Sequence, residues 1–320
     1  MSARGSFLGA SVATAAFLAM NAWGADYPER PVRIIVPFAA GSGTDVVARA
    51  TGTALSTRMS VPVVIENIVG ADGAKGAAAA AKAAPDGYTL LATTNPLTVT
   101  PYLLKTPSFD PVKDFVAVAR IAVIPLVLVT SEKSRFKTFD DLIADMRQNP
   151  GKVRYATSGK GALSHLEVEL MKQHFKVQAQ AQPYGTGEDA MAATANGKAD
   201  FFLANSPMAA AQLKSGAMRA LAVSSSARLP AMPDVPTLAE AMRRPGYEAL
   251  VWFGLVAPSG TSSQVVTRLE NELERELEVA EVRSRIESVG GRVAYLRSAP
   301  FGALIRSEYG KWGQVAKAMQ

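Results

Sequence analysis

The feature that most constrains this chain is a unit that keeps returning: a short apolar run, a loop rich in glycine or hydroxyls, then a helix. Residues 32–36 (VRIIV) are β-branched and apolar, as a buried strand requires. They lead into Pro37-Phe38-Ala39-Ala40-Gly41-Ser42-Gly43. Residues 44–59 then carry Val47, Ala50, Ala54 and Leu55 near helical spacing. A second strand over 63–66 is followed by Gly70-Ala71-Asp72-Gly73 and an alanine-rich helix over 74–84. A third strand over 88–92 ends at Thr93-Thr94-Asn95-Pro96. Farther on, a strand over 153–156, a loop over 157–161 and a helix over 162–175 repeat the order. So do an extended run over 178–184, Gly185-Thr186-Gly187 and a helix over 188–196. This alternation predicts an α/β fold with mainly parallel sheets. Runs at 116–123 and 126–130 are separated by Pro125, and two apolar segments, 122–130 and 250–257, bracket a middle block with its own strand-loop-helix set. The arrangement that follows is an outer domain built from both ends of the chain and an inserted middle domain. The crossing strands then form a hinge.

Composition removes whole classes of chemistry. The 320 residues suffice for two such domains. The absence of cysteine excludes disulfides, thiolate zinc sites, iron–sulfur clusters and cysteine nucleophiles. His165 and His174 are the only histidines, so no metal or cofactor site is expected. The net charge of +6 comes from interspersed acids and bases with no Lys/Arg run, which argues against nucleic acid as a partner. Ahead of the first strand, Arg4 precedes an uninterrupted apolar and small-residue stretch over 7–20. Ala22-Trp23-Gly24 then puts small residues at −3 and −1 of a cut before Ala25. Residues 1–24 read as a secretory signal peptide. Near the other end, Val265, Leu269, Leu273 and Leu277 recur every four residues beside five glutamates, predicting an amphipathic surface helix. A last helix is expected over 300–319.

Ligands of parallel α/β sheets bind at the carboxyl ends of strands, where helix N-termini point. Free first-turn N–H groups and a partial positive charge there suit carboxylates and phosphates. Loops 41–44, 70–73, 93–95, 157–161 and 185–187 share this glycine- or hydroxyl-rich character in both prospective domains. Walker, dinucleotide and nucleophile-elbow patterns are absent. A hydrolase using Ser158 or Ser42 with His165 is conceivable, but the place of His165 in an early helical turn favours packing over general-base work.

In order along the chain, Tyr27-Pro28, Arg30-Pro31-Val32-Arg33-Ile34-Ile35-Val36-Pro37-Phe38, Gly41, Gly43 and Asp45 resemble the opening of the Bug family. These are the extracytoplasmic solute receptors of tripartite tricarboxylate transporters. The resemblance continues through Val64-Ile65-Glu66-Asn67, Pro85-Asp86-Gly87-Tyr88, Tyr155-Ala156-Thr157-Ser158-Gly159, Pro233-Asp234-Val235-Pro236-Thr237 and Trp252, Gly254, Leu255, Ala257 and Pro258. It implies a type II periplasmic binding protein (Venus flytrap): two α/β domains joined by a two-strand hinge. Domain 1 would span 25–125 and 248–320, and domain 2 would span 126–247. The implied role is capture of a small organic carboxylate in the interdomain cleft, without catalysis, by a periplasmic monomer that delivers it to a two-subunit membrane permease. A sensor role is the alternative. By position, the first-domain ligand group is Phe38, Ala39, Gly41, Ser42 and Gly43. The second-domain group is Ser158, Gly159, Gly161, Ser164, Tyr184 and Thr186, with Thr93, Thr94 and Asn95 on the cleft wall and Asp200 orienting the ligand or the closed form. Four departures bear on the ligand: Ser42 between the glycines, Asp72 in the Gly70–Gly73 turn, Ala162 where a serine is usual, and Gly185 where a lysine is usual. They shift the expectation from di- and tricarboxylates toward a monocarboxylate, an amino acid or an aromatic acid.

Overall fold

The computed structural model describes residues 27–159 and 161–318; residues 1–24, expected to be a signal peptide, lie outside the described residues. Strand β1 (Val32–Val36) runs parallel to β2 (Val63–Asn67) on one side and β3 (Thr89–Thr94) on the other. Helix α1 (Gly43–Met59) covers this sheet with its Val47, Ala50, Ala54 and Leu55 face, all buried as their spacing predicts. Helix α2 (Ala74–Ala81) follows a single 3-10 turn at Ala71–Gly73. Helix α3 (Pro96–Leu103) begins directly after β3. Its Thr-rich sequence and internal Pro101 hid it from the periodicity argument.

Strand β4 (Phe115–Ser131) runs unbroken through Pro125 and joins the two halves of the molecule. The sequence reading had split it there, because proline removes a ladder donor. Here a serine hydroxyl, not a neighbouring strand, serves the next amide: the Leu126 N–H donates to Ser224 Oγ at 2.7 Å. Helix α4 (Phe139–Gln148) opens with a capping box formed by Thr138 and Asp141. The middle block continues with β5 (Arg154–Thr157), α5 (Leu163–Phe175), β6 (Gln180–Pro183), α6 (Gly187–Ala195), β7 (Phe201–Asn205), α7 (Ser206–Lys214), β8 (Met218–Val223) and the short α8 (Leu238–Ala241). Strand β9 (Leu250–Pro258) then returns to the first sheet, followed by α9 (Ser263–Glu276), α10 (Ala280–Ser288), β10 (Arg292–Arg297) and α11 (Ser298–Ala318).

The strand order is β2-β1-β3-β9-β4-β7-β5-β6, with β8 and β10 also on β4. The ladders β1–β2, β1–β3, β5–β6 and β5–β7 are parallel, but every ladder made by β4 and β9 is antiparallel. The expectation of mainly parallel sheets is therefore corrected to a mixed sheet. Alternating apolar strands and helices do not reveal the direction of a long crossing strand, and the half-exposed β10 offers only the four-residue apolar run 293–296.

The fold is α/β, with two lobes joined by two adjacent strand segments. Phe115 to Pro125 of β4 pair with Pro258 to Leu250 of β9, whereas Leu126 onward pairs with β7 and β8. Ser224 pins the two connections side by side. Its hydroxyl meets Leu126 N–H and the Ala249 carbonyl, and its backbone carbonyl accepts from Ala249 N–H at 2.9 Å.

Candidate functional site

Register shows where the loops of the two lobes meet. Thr94, at the carboxyl end of β3, lies opposite Phe253 of β9, close to the point where Pro125 pairs Leu250. Asn205, at the carboxyl end of β7, lies opposite Leu126, and β7 runs parallel to β5. The carboxyl edges of both parallel sets thus face the same seam, where strand-end loops bind ligands in sheets of this kind.

In the first lobe the chain leaves β1 and turns on Gly41, whose φ of +82° glycine holds without steric cost. Ser42 caps α1 by accepting from the Asp45 N–H at 3.3 Å. Asp45 reaches back into the loop. It accepts from Gly41 N–H at 2.9 Å, Arg49 Nε at 2.8 Å and Asn67 Nδ2 at 2.9 Å. Asn67 also donates to the Phe38 carbonyl at 3.0 Å. Burial pushes the Asp45 carboxyl up. The hydrogen bonds from Arg49, Gly41 and Asn67, with the Arg49 charge, outweigh that and hold it below the usual carboxylate range. Its partner Asn67 lies across the fold at the end of β2, twenty-two positions away in the chain.

In the second lobe the loop after β5 is also closed on itself. Thr157 Oγ1 receives the Gly159 N–H at 3.1 Å and lies 2.8 Å from the Gly159 carbonyl. Ser158 N–H points to Ser164 Oγ at 3.5 Å, and the Ser158 and Ser164 hydroxyls sit 3.3 Å apart. Gly161 N–H donates to His165 Nδ1 at 3.3 Å, while His165 Nε2 stands 4.0 Å from Glu169. Glu169 in turn accepts from Tyr155 Oη and Lys172 Nζ. The His165 ring therefore organises the loop, with Ser158 Oγ directed at another serine.

These bonds correct the expectation that the glycine amides themselves are the free donors. The N–H groups of Gly41, Ser158, Gly159 and Gly161 are turned onto acceptors within their own loops. What the geometry leaves for an anion are the Ser158 and Ser164 hydroxyls and the N–H groups that open α1 and α5, at Gly43, Thr44 and Leu163, which have no acceptor among the described residues; the Asp45 and His165 N–H groups are already taken by Ser42 Oγ and the Ala162 carbonyl.

The remaining predicted residues divide. Phe38 packs over the Gly73 turn, and the Asp72 carbonyl beside it accepts from Thr100 Oγ1 at 3.1 Å, so this turn joins the first-lobe loop to α3. Asp72 is exposed, in a left-handed conformation. Ala39 is exposed on the same loop, and Gly43 opens α1 against the Phe253 ring. Thr93 and Thr94 are buried at the end of β3. Tyr184, half-buried, continues from β6, with its N–H on the Thr157 carbonyl at 2.8 Å.

Three predicted residues are committed elsewhere. Thr186 caps α6, and its hydroxyl bonds Asp189. The Asn95 amide is consumed by the Leu250 carbonyl at 3.2 Å, the Trp252 N–H at 3.2 Å and Glu308 at 3.4 Å. Asp200 sits before β7, at the opposite end from the Gly161 loop. It accepts from Arg154 N–H at 2.8 Å and pairs with the Arg154 and Arg135 guanidiniums. A position before a strand looks alike in sequence at either end of a sheet; only the parallel register of β5 and β7 shows which end it occupies.

A family model described as the tripartite tricarboxylate transporter family receptor matches residues 47–320. The chain belongs to that family. The receptor is 33% identical to BugT of Bordetella pertussis over 293 residues, covering 91% of this chain and 90% of BugT. Its fold matches a solved R. palustris protein with adipate at a TM-score of 0.73 and 31% identity, covering 91% of this chain and 98% of that one. It likewise matches MatC of Rhodopseudomonas palustris with bound malate at a TM-score of 0.71 and 30% identity, covering 91% of this chain and 100% of MatC. Members of the family are solute-binding receptors, and the solved relative BugD is a periplasmic binding protein.

Proposed function

We propose that this receptor captures a small organic carboxylate between its lobes and presents it to a two-subunit membrane permease. The observation that carries the reading is the seam. Two helix N-termini, α1 and α5, and the Ser158–Ser164 hydroxyl pair belong to loops at carboxyl strand edges that face one another across the β4–β9 crossing. Such a site offers neutral donors and positive helix ends to an anion at little desolvation cost. Relatives solved with adipate and malate support the ligand class. The ligand group is then Phe38, Ala39, Ser42 and Gly43 from one side and Ser158, Ser164 and Tyr184 from the other, with Thr93 and Thr94 behind. The exposed carboxylate of Asp72 beside the Phe38 loop disfavours a second ligand carboxylate on that side.

The lobe limits in this reading are 25–125 with 248–320, and 126–247. The change of β4 from β9 to β7 and β8 after Pro125 supports them. Residues 1–24 direct export, and the receptor works in the periplasm as a single chain without a catalytic step. Mass spectrometry of natively co-purified ligand, followed by a thermal screen of mono- and dicarboxylates and amino acids, tests the proposal. A true ligand at a hundred times its dissociation constant adds roughly 2.7 kcal/mol of stability. A flat response to every acid, with no anion co-purifying, removes it.

A further inference from the structure

One helix holds both walls of the seam. α11 presents Glu308 and Lys311 one turn apart. Glu308 is almost wholly buried and accepts from Trp252 Nε1 at 2.7 Å, Asn95 Nδ2 at 3.4 Å and Thr98 Oγ1 at 3.5 Å. It thereby fastens the end of β3, the start of α3 and the first residues of β9. Lys311 Nζ reaches the other lobe, pairing at 3.3 Å with Glu167 of α5, whose side chain is 1% exposed. The second Glu167 oxygen receives the Tyr247 hydroxyl, just ahead of the return strand β9. Glu167 lies one turn beyond Ser164, so the helix that supplies the hydroxyl pair is the helix Lys311 grips. Packing agrees: Trp312 and Val315 of α11 share one apolar core with Leu163 and Leu166 of α5, and Tyr309 stacks on Tyr102 of α3 at 4.7 Å.

We propose that α11 is a strap that sets the angle between the lobes, with Glu308 holding the Thr93–Asn95 wall and Lys311 holding α5 as positioning residues for the ligand cleft. Burying an ion pair brings little net stability against an apolar pair of the same shape, so a structural role alone gives weak reason for it here. A directional tie between two moving bodies gives a better one, because it is made at one lobe angle and lost at others. The functional consequence rests on the receptor reading above; the geometric claim does not.

The test uses the cysteine-free chain, labelled through Lys82→Cys and Lys198→Cys on the exposed surfaces of the two lobes, with interlobe distances read by pulsed spin-label spectroscopy. Glu167→Gln with Lys311→Met removes the tie, and because Lys311 also faces the buried Glu308 carboxyl, Glu167→Gln alone is measured beside it. The double variant should melt near the parent yet show a broadened distance distribution. Its affinity for a carboxylate that binds the parent should fall roughly tenfold, as the competent fraction drops. Lys311→Arg, which keeps the ion pair, should restore both. A double variant with the parent's distribution, or with undiminished affinity, overturns the strap. If neither adipate nor malate nor any other acid screened binds the parent, the receptor reading falls, and the distance distribution alone upholds or overturns the strap.

Discussion

Gly161→Ala should abolish most ligand affinity while leaving the fold intact. Gly161 holds φ at +86°, and a Cβ there would stand 2.2 Å from Leu103 Cδ1 of α3. Left-handed backbone at a non-glycine residue costs on the order of 1–3 kcal/mol. The steric conflict adds to this, because α3 belongs to the first lobe and the loop to the second, so relief takes a turn of the half-buried Leu103 side chain, a shift of the loop from His165, or a parting of the lobes. The last two responses displace Ser158 and the start of α5. A loss of at least roughly tenfold in affinity is expected, since about 1.4 kcal/mol is a factor of ten. Two companions separate the causes. Gly159→Ala meets no atom within 4 Å and carries φ strain alone, so it should bind better than Gly161→Ala. Leu103→Ala in the Gly161→Ala background should recover part of the affinity by removing the obstructing methyl. Calorimetric titration of the four proteins decides the matter, and parent-like binding by Gly161→Ala would show that this contact is irrelevant to the cleft.

How much of this was legible in the sequence depends on what kind of interaction each element uses. The apolar strands of β1 and β5, their glycine loops and the helices behind them announce themselves locally, because burial pattern and turn chemistry are written within a few residues. The two-strand connection was legible too, since apolar runs on either side of a block with its own units become β4 and β9. Hidden features depend on partners distant in the chain. Asn67 and Asp45 are twenty-two positions apart, and Asn95 and Glu308 are more than two hundred apart. Glu308 and Glu167 look like ordinary solvent-facing charges on helices until α11 is laid across α5. Asp200 misled for the same reason: its place before a strand follows the family pattern, but the parallel register puts it at the far edge with Arg154. Polar groups pledged to one another in the folded chain cannot be told from polar groups awaiting a ligand by residue type alone.

Asp45 offers the largest stability effect in the first-lobe loop. Its side chain is 3% exposed, and its two oxygens take the Gly41 N–H, the Asn67 amide and the Arg49 guanidinium. Asp45→Ala takes the acceptor from the Gly41 N–H, which is exposed enough to turn to water, and from one Asn67 amide hydrogen, while the Asn67 amide keeps the Phe38 carbonyl. A donor orphaned inside the fold costs about 1–3 kcal/mol. Arg49 is half exposed and can turn to water, so its share is small. A total of about 1–3 kcal/mol is expected, most of it from the Asn67 amide hydrogen left unpaired. The sign of the pH dependence follows from the direction of the shift. The folded carboxyl titrates below its unfolded value, so the unfolded chain binds the proton first as pH falls. The stabilisation is complete above the ordinary aspartate range near ~4 and disappears as pH drops through the lowered folded value. The isosteric Asp45→Asn should therefore be less stable than the parent at neutral pH and approach it in acid. Urea midpoints measured from neutral pH downward give the comparison. A gap that stays constant across that range would mean that the Asp45 charge does not hold the loop. A gap that closes ties the shape of the Phe38 and Gly41 turn, and with it one side of the cleft, to a single ionised carboxylate.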